Sequence, residues 1–130
     1  MIHRESKLQQ ACIKWLRLQY PKIVAFAIPN GGKRNVREAA RMKAEGVLAG
    51  VPDLFIASPR GGYCGMFIEM KAGKAKPTDA QNAMLLDLGD EGYRVLICRD
   101  LDVFRDEVTR YLNDNPGKFS DNDPVQLMSA

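Results

Sequence analysis

The order in which helical and extended patterns follow one another limits this chain to few folds. From Glu5 to Gln19, apolar residues at Leu8, Ala11, Cys12, Trp15 and Leu16 recur at helical spacing until Pro21 stops the pattern. Ile23 to Ile28 is a short run rich in β-formers, closed by Pro29-Asn30-Gly31-Gly32, which reads as a strand and a turn. Asn35 with Glu38 three residues later has the form of a capping box, although that form is defined on Ser and Thr; it predicts a helix to about Glu45, ended by Gly46. Two extended runs, Asp53–Ala57 and Cys64–Lys71, are joined by Pro59-Arg60-Gly61-Gly62, the pattern of a β-hairpin. Thr78 and Gln81 fit a capping box that starts a helix ending near Gly89, and Arg94–Cys98 reads as a strand. Asp100 then caps a last helix with an apolar stripe of Leu101, Phe104, Val108, Tyr111 and Leu112. This order predicts an α/β fold, a central mixed β-sheet flanked by helices.

At 130 residues the chain is one domain, expected over residues 1–112, with a polar, Pro- and Gly-containing tail over 113–130. No apolar run approaches the ~20 residues of a bilayer span, and the N-terminus carries charges where a signal peptide needs apolar residues, so neither a membrane nor a secreted protein is expected. Cys12, Cys64 and Cys98 are odd in number, no Cys-x-x-Cys occurs, and the only histidine is His3; this excludes a full disulfide framework and a zinc site and suggests a reduced, cytoplasmic protein.

Charge is unevenly distributed along the chain. Residues 1–76 hold 14 Lys/Arg against 5 Asp/Glu, whereas residues 77–130 hold 5 against 11. Such blocks usually mark solvated faces, yet a basic half beside a Gly-rich loop is also how a phosphate-backbone binder looks in sequence. Arg34, Arg37 and Arg41, three and four residues apart, share one helix face.

Nucleophilic catalysis finds no support, since no Ser or Cys has a sequence-evident base, and no phosphate-binding P-loop is present. The informative set is Asp53 at the mouth of one hairpin strand and Glu69 with Lys71 on one face of the other, because pairing can bring all three to one end of the sheet. Two adjacent carboxylates repel unless a cation lies between them. A hard divalent ion such as Mg²⁺ or Mn²⁺ suits two carboxylates and a backbone carbonyl, and a lysine beside them can orient a water or stabilise phosphate charge. Taken alone, Glu-x-Lys on a strand most often marks only the solvated face of a sheet. Pro52, Gly50 and the surrounding cations Lys33, Arg34, Arg37, Arg41, Lys74 and Lys76 shift the weight toward a site.

The segments Gly50-Val51-Pro52-Asp53-Leu54 and Ile68-Glu69-Met70-Lys71, with Gln81, Glu5 on the first helix and Pro29-Asn30-Gly31, resemble the virus-type replication-repair nuclease (VRR-NUC) family of the PD-(D/E)xK nuclease superfamily. The resemblance spans roughly residues 3–112. It implies a restriction-endonuclease-like core and a metal-dependent phosphodiesterase using Mg²⁺ or Mn²⁺. Asp53, Glu69 and the Met70 carbonyl would be metal ligands, Lys71 the catalytic lysine, Gln81 the helix glutamine near the metal waters or the phosphate, and Glu5 the first-helix acid. Each has a plainer alternative: Gln81 as a helix cap, Glu5 as an acid favoured by the helix dipole, and Asn30-Gly31-Gly32 as an ordinary turn rather than a DNA-phosphate contact.

The expected activity is hydrolysis of DNA phosphodiester bonds, with Asn30, Gly31, Lys33, Arg34, Arg37, Arg41, Lys74 and Lys76 on the backbone. No base-reading element is evident, which favours recognition of DNA shape. The resemblance to stand-alone, phage-encoded members implies a junction-resolving enzyme of the host-cell cytoplasm acting as a homodimer, without organic cofactor. Cutting flaps, nicks or single strands is the alternative within the enzyme class, and a non-catalytic DNA-binding accessory module the alternative outside it.

Overall fold

Four strands and four helices follow one another in the expected order. The computed structural model describes residues 2–29 and 35–116. Helix α1 (Ile2–Gln19) is followed by β1 (Ala25–Ala27), α2 (Val36–Ala44), β2 (Leu54–Ile56), β3 (Met66–Met70), α3 (Asp79–Asp90), β4 (Arg94–Cys98) and α4 (Leu101–Leu112). The helix starts are the ones the capping residues specify. Asn35 accepts a hydrogen bond from the Glu38 N–H, Thr78 and Gln81 form the reciprocal capping box, and Asp100 accepts from the Val103 N–H. Helix α1 begins at Ile2, three residues before Glu5, where the apolar spacing places its start.

The sheet has the order β1-β2-β3-β4. β1/β2 and β2/β3 are antiparallel, and β3/β4 is parallel, so the sheet is mixed. The parallel pair needs the α3 crossover, whereas the β2/β3 pair is closed by the loop over residues 57–65. One face of the sheet presents Leu54, Ile56, Met66, Ile68 and Met70 to Cys12 and Leu16 of α1 and to Phe104, Val108, Tyr111 and Leu112 of α4, and together these form the core. The Tyr111 hydroxyl satisfies its polar end by donating to the Ser58 carbonyl at 2.7 Å. Cys12 and Cys98 lie in this core, and all three cysteines are free.

On the other side of the sheet α3 lies along β4, where Leu85 is buried apart from the main core. No residue of α2 is buried, and α2 packs against no other described element. Past α4 the chain stays attached as far as Pro116: the Gly61 N–H donates to the Asn115 carbonyl, and Arg60 forms a bridge with Pro116. No described helix is long and apolar enough to cross a membrane.

Candidate active site

The register of the hairpin sets the first relationship in the site. Leu54 pairs with Ile68 and Phe55 with Phe67, so one position further along Asp53 lies opposite Glu69. Alternation then turns both acids to the sheet face away from the α1/α4 core, while Ile68 and Met70 point into that core. Three contacts fix Asp53. Its carbonyl accepts from the Ile28 N–H at 2.8 Å, its Oδ2 accepts from the Met70 N–H at 2.7 Å, and Pro52 before it is buried.

The loop leading to Asp53 depends on Gly50. Its φ is +86°, and a Cβ there would stand 2.6 Å from the Ala80 carbonyl oxygen, so only glycine lets the loop press on the first turn of α3. That contact joins the Asp53 loop to the helix end that carries Gln81.

Glu69 and Lys71 are not on a solvated face. They are 2% and 8% exposed, which removes the plain surface-charge reading of Glu-x-Lys at this position. Lys71 Nζ stands 3.8 Å from Glu69 Oε1, and the Lys71 backbone is held by its N–H donating to the Cys98 carbonyl at 2.9 Å. Glu69 Oε2 is buried and receives no hydrogen bond. Burial and the neighbouring Asp53 carboxylate push the Glu69 carboxyl up to about 8, against the pull of Lys71. Asp53 is also raised, mainly by burial, with the Met70 N–H opposing. Both carboxyls therefore hold a proton more readily than an isolated acid does.

Glu5 belongs to this cluster. Its Oε1 accepts from the Ala72 N–H at 3.3 Å, so the first-turn acid of α1 clamps the residue after Lys71, a contact the helix-dipole reading does not require. Gln81 spends its side-chain oxygen on the capping box, accepting from the Thr78 N–H at 2.9 Å. Its amide NH₂ takes no part in that bond.

Lys74 and Lys76 are exposed on the loop after β3, and Arg37 and Arg41 are exposed on α2, where Arg41 pairs with Glu45 at 3.4 Å. Asn30, Gly31, Lys33 and Arg34 lie outside the described residues. Two residues not singled out in the sequence shape the basic loop. Arg99 donates to the carbonyls of Gly73 and Ala75 at 3.0 and 2.7 Å, and the Arg4 guanidinium lies 3.5 Å from where a Cβ on Gly73 would be. The only sequence signal for Arg4 is that it precedes Glu5; Arg99, 26 residues from Gly73, has none.

The donor chemistry fits a hard divalent cation: two carboxylates, one bearing a buried oxygen without a donor, and backbone oxygen at the strand end. Among the described residues no three His, Cys, Asp or Glu side chains converge in a metal-holding arrangement, so the two carboxylates would have to be supplemented by backbone oxygen and water.

This arrangement of a carboxylate pair and a lysine at the end of a mixed sheet can be compared with known families. The model of the VRR-NUC domain matches residues 3–100. The chain belongs to the VRR-NUC domain family. A solved structure of a VRR_NUC domain protein superposes on it with a TM-score of 0.72 at 28% sequence identity, covering 87% of this chain and 91% of that one. No match was found among curated proteins. Membership makes the chain a nuclease domain of the PD-(D/E)xK type, a hydrolase whose substrate is DNA. The family match ends at residue 100, whereas α4 of this VRR-NUC chain supplies Phe104, Val108, Tyr111 and Leu112 to the core.

Proposed function

We propose that this VRR-NUC chain is a Mg²⁺- or Mn²⁺-dependent endonuclease that hydrolyses phosphodiester bonds of branched DNA, four-way junctions first, and that it works as a homodimer. The observation that carries the reading is Glu69 Oε2: a buried carboxylate oxygen without a donor, beside a second carboxylate and a lysine. Such an oxygen is costly to keep charged unless a proton or a cation completes it, and a cation is what two adjacent carboxylates beside a lysine suit.

Asp53 and Glu69, with the Met70 carbonyl, would hold the cation, which supplies charge neutralisation at the phosphate and activation of water. Lys71 orients the attacking water, or steadies the phosphate oxygen on which charge grows as the bond to the leaving sugar oxygen breaks. Glu5 keeps the backbone after Lys71 in place through Ala72. The free amide of Gln81 donates toward the water or the phosphate. Arg37, Arg41, Lys74 and Lys76 grip the DNA backbone, as exposed cations on segments with little packing of their own can do.

One such domain carries one site, and two opposed cuts in a junction need two, which is the reason for the homodimer. With Cys12, Cys64 and Cys98 free, the reading is of an enzyme of the cytoplasm.

The test is cleavage of a labelled four-way junction beside linear duplex and flap DNA, with Mg²⁺, Mn²⁺ or EDTA, and with Glu69→Gln as control. Paired cuts in the junction that vanish with EDTA and in the variant are expected. Metal-dependent cutting confined to flaps or single strands would move the substrate, and cutting that survives EDTA would remove the metal.

A further inference from the structure

The turn that follows Lys71 has more open hydrogen-bond donors than open acceptors. The Ala75 N–H closes it on the Ala72 carbonyl at 3.1 Å, and Arg99 Nη1 donates to the carbonyls of Gly73 and Ala75 at 3.0 and 2.7 Å. Three of the four carbonyls of residues 72–75 are therefore taken. The donors are less used. Glu5 holds the Ala72 N–H, but the N–H groups of Gly73 and Lys74 meet no acceptor among the described residues.

Two guanidinium groups approach the same turn. Arg4 Nη1 and Nη2 both lie 3.5 Å from where a Cβ on Gly73 would stand, and Gly73, at φ +56°, is exposed. Arg99 spends both Nη1 protons on carbonyls, which fixes the plane of its guanidinium and leaves Nε and Nη2 without an acceptor among the described residues. Arg4 and Arg99 are exposed, and neither forms an ion pair with a described carboxylate. Bracing the loop accounts for one nitrogen of Arg99. It does not account for the other donors of Arg99, for Arg4, or for the two open N–H groups.

Register places this turn at the active site. β3 and β4 run parallel with Glu69 opposite Ile97, and the ladder continues through the Lys71 N–H to the Cys98 carbonyl. Two residues beyond Glu69 and Ile97, Lys71 and Arg99 stand side by side on the sheet face of Asp53 and Glu69, about 4.8 Å apart at the backbone. Lys71 is buried against Glu69, whereas Arg99 extends to the exposed loop.

Donors without acceptors select a ligand that only accepts, and guanidinium edges beside open backbone N–H groups suit a phosphate. A DNA strand that brings one phosphate to Asp53 and Glu69 brings its neighbour along with it. We infer that Arg4, Arg99 and the N–H groups of Gly73 and Lys74 form a second phosphate seat, which holds the backbone phosphate adjoining the one being cut and so fixes which bond of the strand reaches Asp53 and Glu69. This rests on the reading of Asp53 and Glu69 as the phosphate-addressing pair and adds how the strand is set in register with it.

The test neutralises one partner on each side. The full chain, with Ca²⁺ in place of Mg²⁺, is titrated with fluorescein-labelled four-way junctions in which one phosphate at a time, through the junction centre and the arms beside it, is replaced by an uncharged methylphosphonate. Cuts are mapped separately in Mg²⁺. In wild type, replacement of one phosphate next to the cut should weaken binding about tenfold. Arg4→Gln, which removes no hydrogen bond among the described residues, should weaken binding of the unmodified junction by a similar factor. The methylphosphonate at that position should then cost the variant less than about twofold. Arg99→Gln serves as a second variant, and thermal melting verifies that both are folded. Losses that multiply at every position, no position-specific loss in wild type, or coupling only at a phosphate that does not adjoin the cut would overturn the seat. Glu69→Gln separates the two readings: it should abolish cleavage yet keep the coupling. Coupling at one phosphate in a protein that never cuts DNA would leave the seat standing and sink the nuclease reading.

Discussion

The Asp53 carboxylate accepts a hydrogen bond from the backbone N–H of Met70 across 17 residues of sequence, at 2.7 Å. That bond ties the acid at the start of β2 to the end of β3. Asp53 and Glu69 are thereby held side by side, and burial raises the proton affinity of both carboxyls, the Asp53 charge adding to the rise at Glu69.

Lys71 lies 3.8 Å from Glu69 and is nearly buried, so it has little freedom to serve as a general DNA contact. Lys71→Ala should lower the single-turnover cleavage rate by at least roughly 10²-fold while changing the Kd for a four-way junction by no more than about twofold. Rates by denaturing gel and affinity by mobility shift check this. Normal cleavage in the variant would take Lys71 out of the reaction.

The pH dependence of stability follows from Glu69. Its folded-state carboxyl is raised to about 8 from an ordinary 4.5, so between these values the folded protein binds more protons than the unfolded chain. The metal-free protein should therefore be most stable below about pH 4.5 as far as this group is concerned, and lose that contribution as pH rises through about 8. Glu69→Gln removes the ionisable group; at pH 8.5 it should melt higher than wild type, by about 4 °C for each kcal/mol relieved, with the difference shrinking toward pH 5. Melting curves in EDTA at the two pH values decide it.

Arg37 and Arg41 sit on a helix that buries no residue, so their loss should not disturb the fold. Arg37→Ala and Arg41→Ala should each weaken junction binding and reduce the slope of log K against log salt by about one. Fluorescence titrations from 50 to 200 mM KCl, on the order of the range over which such contacts fade, provide the measurement. An unchanged slope would separate α2 from the DNA.

Gln81 has two tasks that one substitution can separate. Gln81→Glu keeps the oxygen that accepts from the Thr78 N–H and removes the amide NH₂. Stability should stay within about 0.5 kcal/mol of wild type while cleavage falls roughly tenfold, the value of a lost hydrogen bond to a charged group. Thr78→Ala should do the reverse, costing about 1 kcal/mol of stability with the cleavage rate unchanged. If Gln81→Glu cleaves at the wild-type rate, Gln81 is a cap and nothing more.

Local pattern alone determined the elements of this protein and how its helices start. Asn35, Thr78 and Asp100 cap the helices they were expected to cap, because a cap involves residues three apart and any sequence displays it. Alternation likewise separated Ile68 and Met70 from Glu69 and Lys71, since the side-chain period of a strand is a property of the backbone. The motif residues of the VRR-NUC family were visible for the same reason: each is short and local.

Tertiary structure decided what those residues are worth. Whether Glu-x-Lys is a wet surface pair or a buried site depends on what packs beside β3, and that comes from β4, 25 or more residues further on, and from the Gly50 loop against α3. Whether Glu5 serves only the helix dipole or also clamps Ala72 depends on a contact across 67 residues. Arg99 meets Gly73 across 26 residues because β4 pairs with β3 in one parallel register, and a shift of one residue would turn its side chain to the other face. Periodicity gives the face of each strand, but only the pairing of distant strands, set by burial of the shared core, determines which faces meet and what stands next to the carboxylates.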